Sequence, residues 1–466
     1  MTREQFFAIW IGLGILSFGW FAYQTHLEPI IEIDSSNYTT FDFSSFVSML
    51  TNKRTCGYPA FLKLVSCVST NPTSIVYAHW FAMYLAVSLF AAGLIASGYH
   101  NFTAVWASAP LLFGRWILEF GSVITADSLA CSLAVGAAGC FFGCFASPTR
   151  RLAWCGLAVL TFLTYQTRPA YLFLIPLWPV VGFLLEWLVV RREFSLKMAL
   201  RRCVQFAATT IIPFLVFCTL RWAVVGDWGL VSFGGYNLIG IVAQFLDKQT
   251  IGSLPKDLQP LAQGIWIRHS SLEVQLPPAN YVSMEEMYNP IIWSCAVPTA
   301  KELYGDNPIV INQAFSRLSG ELLRQHPKLY LKWLIWNGAH AFNELVRLTV
   351  TDQGTRLLGL MFLIAQAIRL YRGPSTTHQI SSSRPGDEAT SKVIDATARR
   401  FREVHLLFWT AIAMAAAKAL LVVLVEPAIS RYMLGAMPLL PGVFGVFLAH
   451  YLDGDTAGSR SSFPPA

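Results

Sequence analysis

Charged residues are scarce in this chain. They make up 13% of its 466 residues, whereas 54% are hydrophobic and 14% are aromatic, and the mean hydropathy is +0.48. Soluble globular proteins carry about 25% charged residues. The shortage of charge therefore excludes an ordinary soluble domain and predicts an all-α polytopic membrane protein.

Several local motifs are also missing. The sequence contains no Walker loop, no GxGxxG ahead of a helix, no HExxH and no CxxC pair. Cytosolic nucleotide use and a metal site therefore have no supporting motif, no cofactor is assigned, and a divalent cation is left open. The net charge of +7 does not indicate nucleic acid, because the basic residues collect in short connections between apolar runs and form no basic stripe.

Nine cysteines are scattered through mostly apolar segments, where most of them are expected to be small buried residues. Cys56, Cys67 and Cys295 fall in segments that we place outside the membrane. A disulfide among these three is compatible with the sequence, which does not select a pair.

Ten apolar runs are long enough, or nearly long enough, to cross a bilayer as helices. The third and fifth are short, and the first has no small-residue cleavage site, so we interpret it as a retained helix. A further run at 330–348 is either an eleventh span or an amphipathic surface helix, and its polar side chains favour the surface. The ten predicted spans cover residues 5–23, 73–97, 103–119, 121–146, 152–166, 169–190, 204–225, 355–371, 404–425 and 432–451.

Lysine and arginine set the predicted orientation. They collect in alternate connections, which we place in the cytoplasm, so both termini are predicted to lie inside and two long segments, 24–72 and 226–354, outside. The chain then divides into an N-terminal transmembrane module with the first outer loop, an extracytoplasmic cap, C-terminal transmembrane helices and a cytoplasmic tail. These regions cover residues 1–225, 226–354, 355–452 and 453–466.

The first outer loop carries ionisable residues directly after a membrane-length helix. Asp34 lies in Ile31-Glu-Ile-Asp-Ser-Ser-Asn-Tyr38, and the basic pair Lys53-Arg54 follows in the same loop. Asp34 is a candidate general base, because a positioned carboxylate can accept a proton from a hydroxyl. A solvated loop carboxylate is the simpler interpretation of Asp34 taken alone, and the alternates nearby are Glu28, Glu32 and Asp42.

Helix counting brings further ionisable residues to the same face. Asp127 follows the turn between the third and fourth predicted spans, Arg168 lies in the next outer turn, and Arg431 begins the last span. Arginine suits phosphate because its planar fork donates two hydrogen bonds, although each arginine alone is equally explained as an interfacial anchor. The joint placement of these residues with Asp34 indicates a site.

Two ionisable features lie within the predicted spans. Arg115 and Glu119 are four residues apart, so we expect a structural ion pair on one helix face. Lys418 lies about two turns before the outer end of its span, where it either snorkels to the surface or meets an anion such as a lipid phosphate.

Four segments, taken in order, resemble the GT-C superfamily of polytopic glycosyltransferases, in particular the bacterial branch akin to protein O-mannosyltransferases and the aminoarabinose transferase of lipid A. Each motif alone is loose, whereas the ordered set spans most of the chain. The segments are Asp34-Ser-Ser-Asn-Tyr38 with Arg54-Thr-Cys-Gly-Tyr-Pro-Ala-Phe-Leu62, Ile124-Thr-Ala-Asp-Ser-Leu129, Thr167-Arg-Pro169 and Ser430-Arg-Tyr-Met-Leu-Gly-Ala-Met-Pro438.

The resemblance implies a GT-C-like helix arrangement and an inverting enzyme at the outer face of a bacterial inner membrane. Such an enzyme transfers a sugar from a polyprenyl-phosphate donor to an acceptor hydroxyl on a glycan, a lipid or a protein. Its partners would be those substrates and membrane lipids, with no nucleic acid.

The resemblance also implies roles for single residues. Asp34 matches the first-loop acid, the expected general base, and Asp127 stands where relatives usually carry Glu directly after Thr. Arg168 and Arg431 match positions associated with the lipid phosphate. Further substrate-binding candidates, chosen by charge or by adjacency to Arg431, are Lys53, Arg54, Lys418 and Tyr432.

Two other functions fit parts of the sequence. An O-antigen ligase or polymerase type enzyme would place its essential residues in the cap, around His326 or Arg324. A flippase or transporter of lipid-linked sugars would line a path with Arg115, Glu119 and Lys418. The lack of an internal repeat and the concentration of charge on one face disfavour the transporter.

Overall fold

The computed structural model describes residues 1–147, 149–189, 195–272, 280–372 and 387–459. Within these ranges the chain is helical, and its one extended pairing is an isolated parallel bridge between Ile30 and Val123. The helices of the first half are α1 (Arg3–Thr25), α2 (Ser36–Thr39), α3 (Phe46–Thr51), α4 (Gly57–Val68), α5 (Thr73–Ala96), α6 (Asn101–Ser108), α7 (Arg115–Leu118), α8 (Ala126–Ala146), α9 (Arg151–Thr167), α10 (Leu174–Val189) and α11 (Leu196–Val225).

The second half begins with a group of short helices and ends with long ones. The helices are α12 (Gly234–Val242), α13 (Lys248–Ser253), α14 (Gln259–Ser270), α15 (Tyr281–Pro290), α16 (Val297–Tyr304), α17 (Pro308–Gln325), α18 (Pro327–Thr351), α19 (Gln353–Arg372), α20 (Asp387–Val425), α21 (Ser430–Met433) and α22 (Leu440–Ser459).

Six helical stretches in the described ranges are long and apolar enough to cross a membrane. A seventh is formed if Ser430–Ala436 and Leu440–Leu452, which are bent by 46° at a short break, count as one span. The predicted all-α class is therefore confirmed for the described residues, and six of their helical stretches have the length and composition of membrane spans. The six stretches are Arg3–Thr25, Thr73–Ala96, Ala126–Ala146, Pro169–Leu188, Leu196–Val225 and Ala398–Val425.

The predicted span at 103–119 is broken rather than continuous. After α6 a 3-10 turn covers Ala109–Phe113, and Gly114 is extended before α7 begins. Pro110 lacks the amide proton that an α-helix needs at this position, so the sequence itself accounts for the break.

Two other predicted spans are short, and the predicted tail begins as helix. The span at 152–166 is α9, of 17 residues, and the apolar part of α19, predicted as 355–371, covers Gln353–Ile368. α22 continues into the predicted tail as far as Ser459, and residues 460–466 lie outside the described ranges.

Helix α18 contains the run 330–348 and has two apolar faces. It is not among the six stretches that are both long and apolar enough to cross a membrane. One face is buried against the protein and includes Trp333, Ala341 and Leu348. The other is exposed and repeats at helical spacing, as expected of a helix that lies against hydrocarbon with one side and against protein with the other. Its members are Leu331, Ile335, Phe342, Val346 and Val350.

A buried arginine joins the two long connections, 26–72 and 226–352, at one end of the helices, which we call the cap end. Arg221, at the end of α11, is 1% exposed. Its Nε donates to the Leu50 carbonyl at 3.0 Å, its Nη1 to Asp227 Oδ2 at 2.8 Å and its Nη2 to Ser232 Oγ at 2.5 Å. Because a buried guanidinium is costly unless it is paired, these three hydrogen bonds hold the first connection against the cap.

Glycines set the distance between α5 and α8, the helix that carries Asp127 in its first turn. A Cβ built on Gly139 would lie 2.5 Å from the Leu89 carbonyl oxygen and 2.6 Å from Phe90 Cα. On the facing helix, a Cβ on Gly93 would collide with the Gly139 backbone. Small residues allow two membrane helices to approach this closely.

We expect Gly139→Val to push α5 and α8 apart and to destabilise the fold by about 1–3 kcal/mol, the usual cost of overpacking. The melting temperature in detergent and the monodisperse fraction on size exclusion should both fall. Gly19→Val is the matched control, because a Cβ at Gly19 meets no atom within 4 Å. Equal behaviour of the two variants would contradict the packing described.

Candidate functional site

The first connection is held against the turn before α8 by two backbone hydrogen bonds. The Ile30 amide donates to the Ser122 carbonyl at 2.8 Å, and the Ile124 amide donates to the Ile30 carbonyl at 2.9 Å. A 3-10 turn over Ile33–Ser35 follows directly. This pairing carries Asp34 to the start of α8, where Asp127 lies.

The start of α4 packs tightly on the turn between α9 and α10. A Cβ on Gly57 would lie 2.4 Å from the Gln166 carbonyl oxygen and 2.7 Å from the Thr167 amide nitrogen. Glycine is therefore required where the Arg54-Thr-Cys-Gly segment meets the turn that carries Arg168. The segment resembling a family motif thus has a local packing reason for its glycine.

Asp127 is the centre of the candidate site. It lies in the first turn of α8, and its side chain is 1% exposed. Arg168 pairs with Asp127 Oδ1. Arg431 Nε donates to Asp127 Oδ2 at 3.2 Å, and Arg431 Nη2 lies 3.1 Å from the same oxygen. Two guanidiniums from segments that are far apart in the sequence therefore enclose one buried carboxylate.

Arg431 also binds the first connection. Its Nη1 lies 3.2 Å from Asp34 Oδ2 and 3.3 Å from Glu32 Oε2. Asp34 Oδ1 in turn accepts from Arg54 Nη2 at 3.1 Å. We call these six side chains the arginine–carboxylate cluster: Glu32, Asp34, Arg54, Asp127, Arg168 and Arg431.

The carboxylates of the cluster differ in their exposure to solvent. Asp127 is 1% exposed, whereas Asp34 is 36% and Glu32 41% exposed. Three carboxylates face three guanidiniums, so the cluster is close to neutral as it stands. An incoming phosphate would have to replace a carboxylate on one of the arginines, and Glu32 and Asp34 are the accessible ones.

Two cap aromatics and one tyrosine of the first connection lie against the basic pair of that connection. Arg54 lies 5.2 Å from the ring centroid of Phe233 and 5.5 Å from that of Tyr38, and Lys53 lies 5.3 Å from that of Trp293. Burial lowers the pKa of Lys53, repulsion from Arg54 and Lys301 adds to this, and attraction to Asp34 opposes it. Lys53 has no carboxylate partner among the described residues, so it is a free cation beside the cluster.

Lys418 and Tyr432 lie near the cluster without joining it. Lys418 is buried, donates to the Ala170 carbonyl at 3.2 Å and lies 5.7 Å from the ring centroid of Tyr171. It therefore neither snorkels to the surface nor pairs with a carboxylate in the described chain. Tyr432 packs against the apolar group that includes Met433.

The sequence did not identify Asn337 as a residue that supports the site. Its polar side chain was one of those that favoured a surface position for the helix at 330–348. In the structure Asn337 is fully buried. Its Nδ2 donates to the carbonyls of Val423 and Glu426 at 3.2 Å and 2.7 Å, and its Oδ1 accepts from the Ala428 amide at 2.9 Å. By satisfying the free carbonyls at the end of α20, Asn337 fixes the turn that leads into Arg431.

The remaining candidates lie outside the cluster. Arg115 and Glu119 form the expected pair at 2.5 Å. His326 hydrogen-bonds Thr250 through Nε2 at 2.9 Å, and Arg324 pairs with Glu321 on the exposed side of α17. His326 and Arg324 make no contact with the cluster in the described chain.

The thiols and carboxylates are not arranged as cross-links or metal ligands. Cys56, Cys67 and Cys295, among which the sequence allowed a disulfide, are all free. In the described part of the chain, no group of three histidine, cysteine, aspartate or glutamate side chains is placed to hold a metal ion. The carboxylates that do converge are paired with arginines.

Comparison with family models, with curated proteins and with solved structures gives no match. The functional argument therefore depends on the geometry of the cluster.

We expect Asp127→Asn to destabilise the protein by about 3–5 kcal/mol, because it leaves Arg168 and Arg431 facing each other without the buried carboxylate between them. The measurement is thermal unfolding of the purified protein in detergent. Asp257→Asn is the control, since it removes one carboxylate from an exposed pair with Arg317 that contributes about 0–1 kcal/mol. A loss no larger than in this control would contradict the enclosed-carboxylate geometry.

Proposed function

We propose that this chain is a membrane glycosyltransferase of the GT-C type, which moves a sugar from a polyprenyl-phosphate donor to an acceptor hydroxyl. The observation that carries the proposal is the arginine–carboxylate cluster. Asp34, Asp127, Arg168 and Arg431 come from four separate segments and meet in one network at the cap end. A base and phosphate-binding arginines side by side are what transfer from a lipid phosphate requires.

In the proposed reaction the donor phosphate takes hydrogen bonds from Arg431 in place of the exposed carboxylates. Asp34 Oδ2, now 3.2 Å from Arg431 Nη1, is thereby released. Asp34 then accepts the proton of the acceptor hydroxyl as the acceptor oxygen attacks the anomeric carbon. The bond from that carbon to the phosphate oxygen breaks, and its electron pair leaves with the lipid phosphate.

The two aspartates have different roles in this scheme. Asp34 is accessible and is the proposed base. Asp127 is too buried to reach an acceptor, so we assign it to positioning, where it holds Arg168 and Arg431 in place for the developing charge on the leaving phosphate. A single displacement of this kind inverts the configuration at the anomeric carbon.

The membrane arrangement belongs to the same proposal. We infer ten spans, both termini inside, and the cap end at the outer face of a bacterial inner membrane, in a GT-C-like arrangement. The acceptor is the hydroxyl of a glycan, a lipid or a protein. Membrane lipids surround the helices, no cofactor is required by the scheme, and a divalent cation stays open.

The two competing functions have less support. The polar groups of a lipid-linked-sugar transporter would be Arg115, Glu119 and Lys418, but the first two pair with each other and Lys418 is held by a backbone carbonyl. A ligase or polymerase centred on His326 would need partners there, and His326 contacts Thr250 and the ring of Phe245.

We expect Asp34→Asn to reduce sugar transfer by about 10²–10⁴-fold, the usual contribution of a general base. The assay offers a panel of radiolabelled polyprenyl-phosphate hexoses and pentoses, with membrane extract as acceptor, to the purified protein in detergent. Asp42→Asn is the control, because Asp42 is an exposed carboxylate of the same connection outside the cluster. Transfer by Asp34→Asn at the wild-type rate would refute the assignment, and transfer without a second compartment excludes a pure transporter.

A further inference from the structure

A polar cavity lies at the cap end, apart from the arginine–carboxylate cluster. It has a volume of about 320 Å³, within the range of small-ligand sites. Its lining carries three guanidiniums and one carboxylate, so the cavity is cationic. The lining residues are Arg115, Leu118, Glu119, Arg347, Thr351, Gln353 and Arg356.

Two of the three arginines are held rigidly. Arg115 Nη1 donates to Thr351 Oγ1 at 2.8 Å, and its backbone amide donates to Asp352 Oδ1 at 2.7 Å. Arg347 is fixed by Glu344 at 2.7 Å and by Ser430 Oγ at 2.5 Å. Preorganised guanidiniums bind a phosphate with less loss of side-chain entropy than free ones.

The third arginine is free. Arg356, in the first turn of α19, is exposed and has no ion-pair or hydrogen-bond partner for its side chain among the described residues. Glu119 is already paired with Arg115 at 2.5 Å, and Glu344, behind Arg347, is bound to Arg347 and Ser430. Glu119 and Glu344 therefore neutralise Arg115 and Arg347, and Arg356 is the guanidinium of this cavity that has no ion-pair partner in the described part of the chain.

An exposed apolar stripe continues from Arg356 along α19. Leu360, Leu363 and Ile364 are 55%, 65% and 50% exposed, and their spacing places them on the same side of the helix as Arg356. The exposed stripe of α18 ends beside the cavity at Val346 and Val350. A cationic pocket above an apolar stripe matches a lipid, with its phosphate in the pocket and its chain along the helix.

We propose that this cavity is a binding site for the phosphate group of a lipid. Arg115 and Arg347 are paired with Glu119 and Glu344, and Arg356 supplies the unpaired guanidinium that a lipid phosphate would neutralise. The inference goes beyond the proposed transfer reaction and does not depend on it, because none of the lining residues belongs to the arginine–carboxylate cluster.

The test counts bound ligands on the full chain by native mass spectrometry. The probes are farnesyl phosphate, phosphatidylglycerol and inorganic phosphate, and the variants are Arg356→Gln and Arg356→Glu. Both variants should fold normally, because the Arg356 side chain is exposed and makes no ion pair or hydrogen bond with the residues that the structure describes. Arg324→Gln, in an exposed i,i+3 pair on α17, is the control.

The wild type is expected to bind one more farnesyl phosphate than Arg356→Gln, whose affinity at the cavity falls about tenfold for one lost charge-assisted hydrogen bond. Arg356→Glu should weaken it further, and the control should match the wild type. If the arginine–carboxylate cluster also binds farnesyl phosphate, as the proposed function implies, the number of bound ligands falls from two in the wild type to one in Arg356→Gln. If the proposed function is wrong and the cluster binds none, the number falls from one to none.

Two results would overturn the inference. The first is the wild-type count in both Arg356 variants. The second is equal binding of inorganic phosphate and farnesyl phosphate, which would show that the apolar stripe contributes nothing. Phosphatidylglycerol identifies the source of the phosphate, because loss of farnesyl phosphate alone assigns the site to a monoester, whereas loss of both lipids assigns it to phosphodiesters as well.

Discussion

The structure depends on one buried carboxylate. Asp127 is almost completely removed from solvent and carries a negative charge that must be compensated where it lies. The compensation comes from Arg168 and Arg431, on segments that are distant in sequence, and Arg431 extends the network to the first connection. Because removal of either partner would leave an uncompensated charge, this pairing defines how the N-terminal helices, the first connection and the C-terminal helices meet.

In the proposed reaction, the same network is both a stable resting state and the reactive site. Its inner part is buried, whereas Glu32 and Asp34 at its outer edge are accessible. The proposal has an anionic donor exchange with the outer carboxylates while Asp127 keeps the arginines in position. In that scheme the exchange also releases Asp34 from Arg431, so donor binding and exposure of the proposed base are parts of one event.

Much of this cluster could be predicted from the sequence, because helices that cross a membrane alternate in direction and counting them assigns each connection to an end. That rule brought Asp34, Asp127, Arg168 and Arg431 to one face. It could not show which of these residues touch, nor that Lys418 turns to a backbone carbonyl. Asn337 was misjudged because a polar residue on an amphipathic helix is usually exposed, whereas here it caps the end of α20. The sequence did not predict the polar cavity, because tertiary packing alone brings together its three arginines, Arg115, Arg347 and Arg356.

The most direct test of the account is a double-mutant cycle on Asp127 and Arg431, measured as thermal stability of the purified protein. Asp127→Asn and Arg431→Gln each break the same contact, so the account predicts strong coupling, with the double variant no less stable than the worse single variant. Additive losses in the double variant would mean that the two side chains do not interact, and would contradict the cluster on which the proposed function depends.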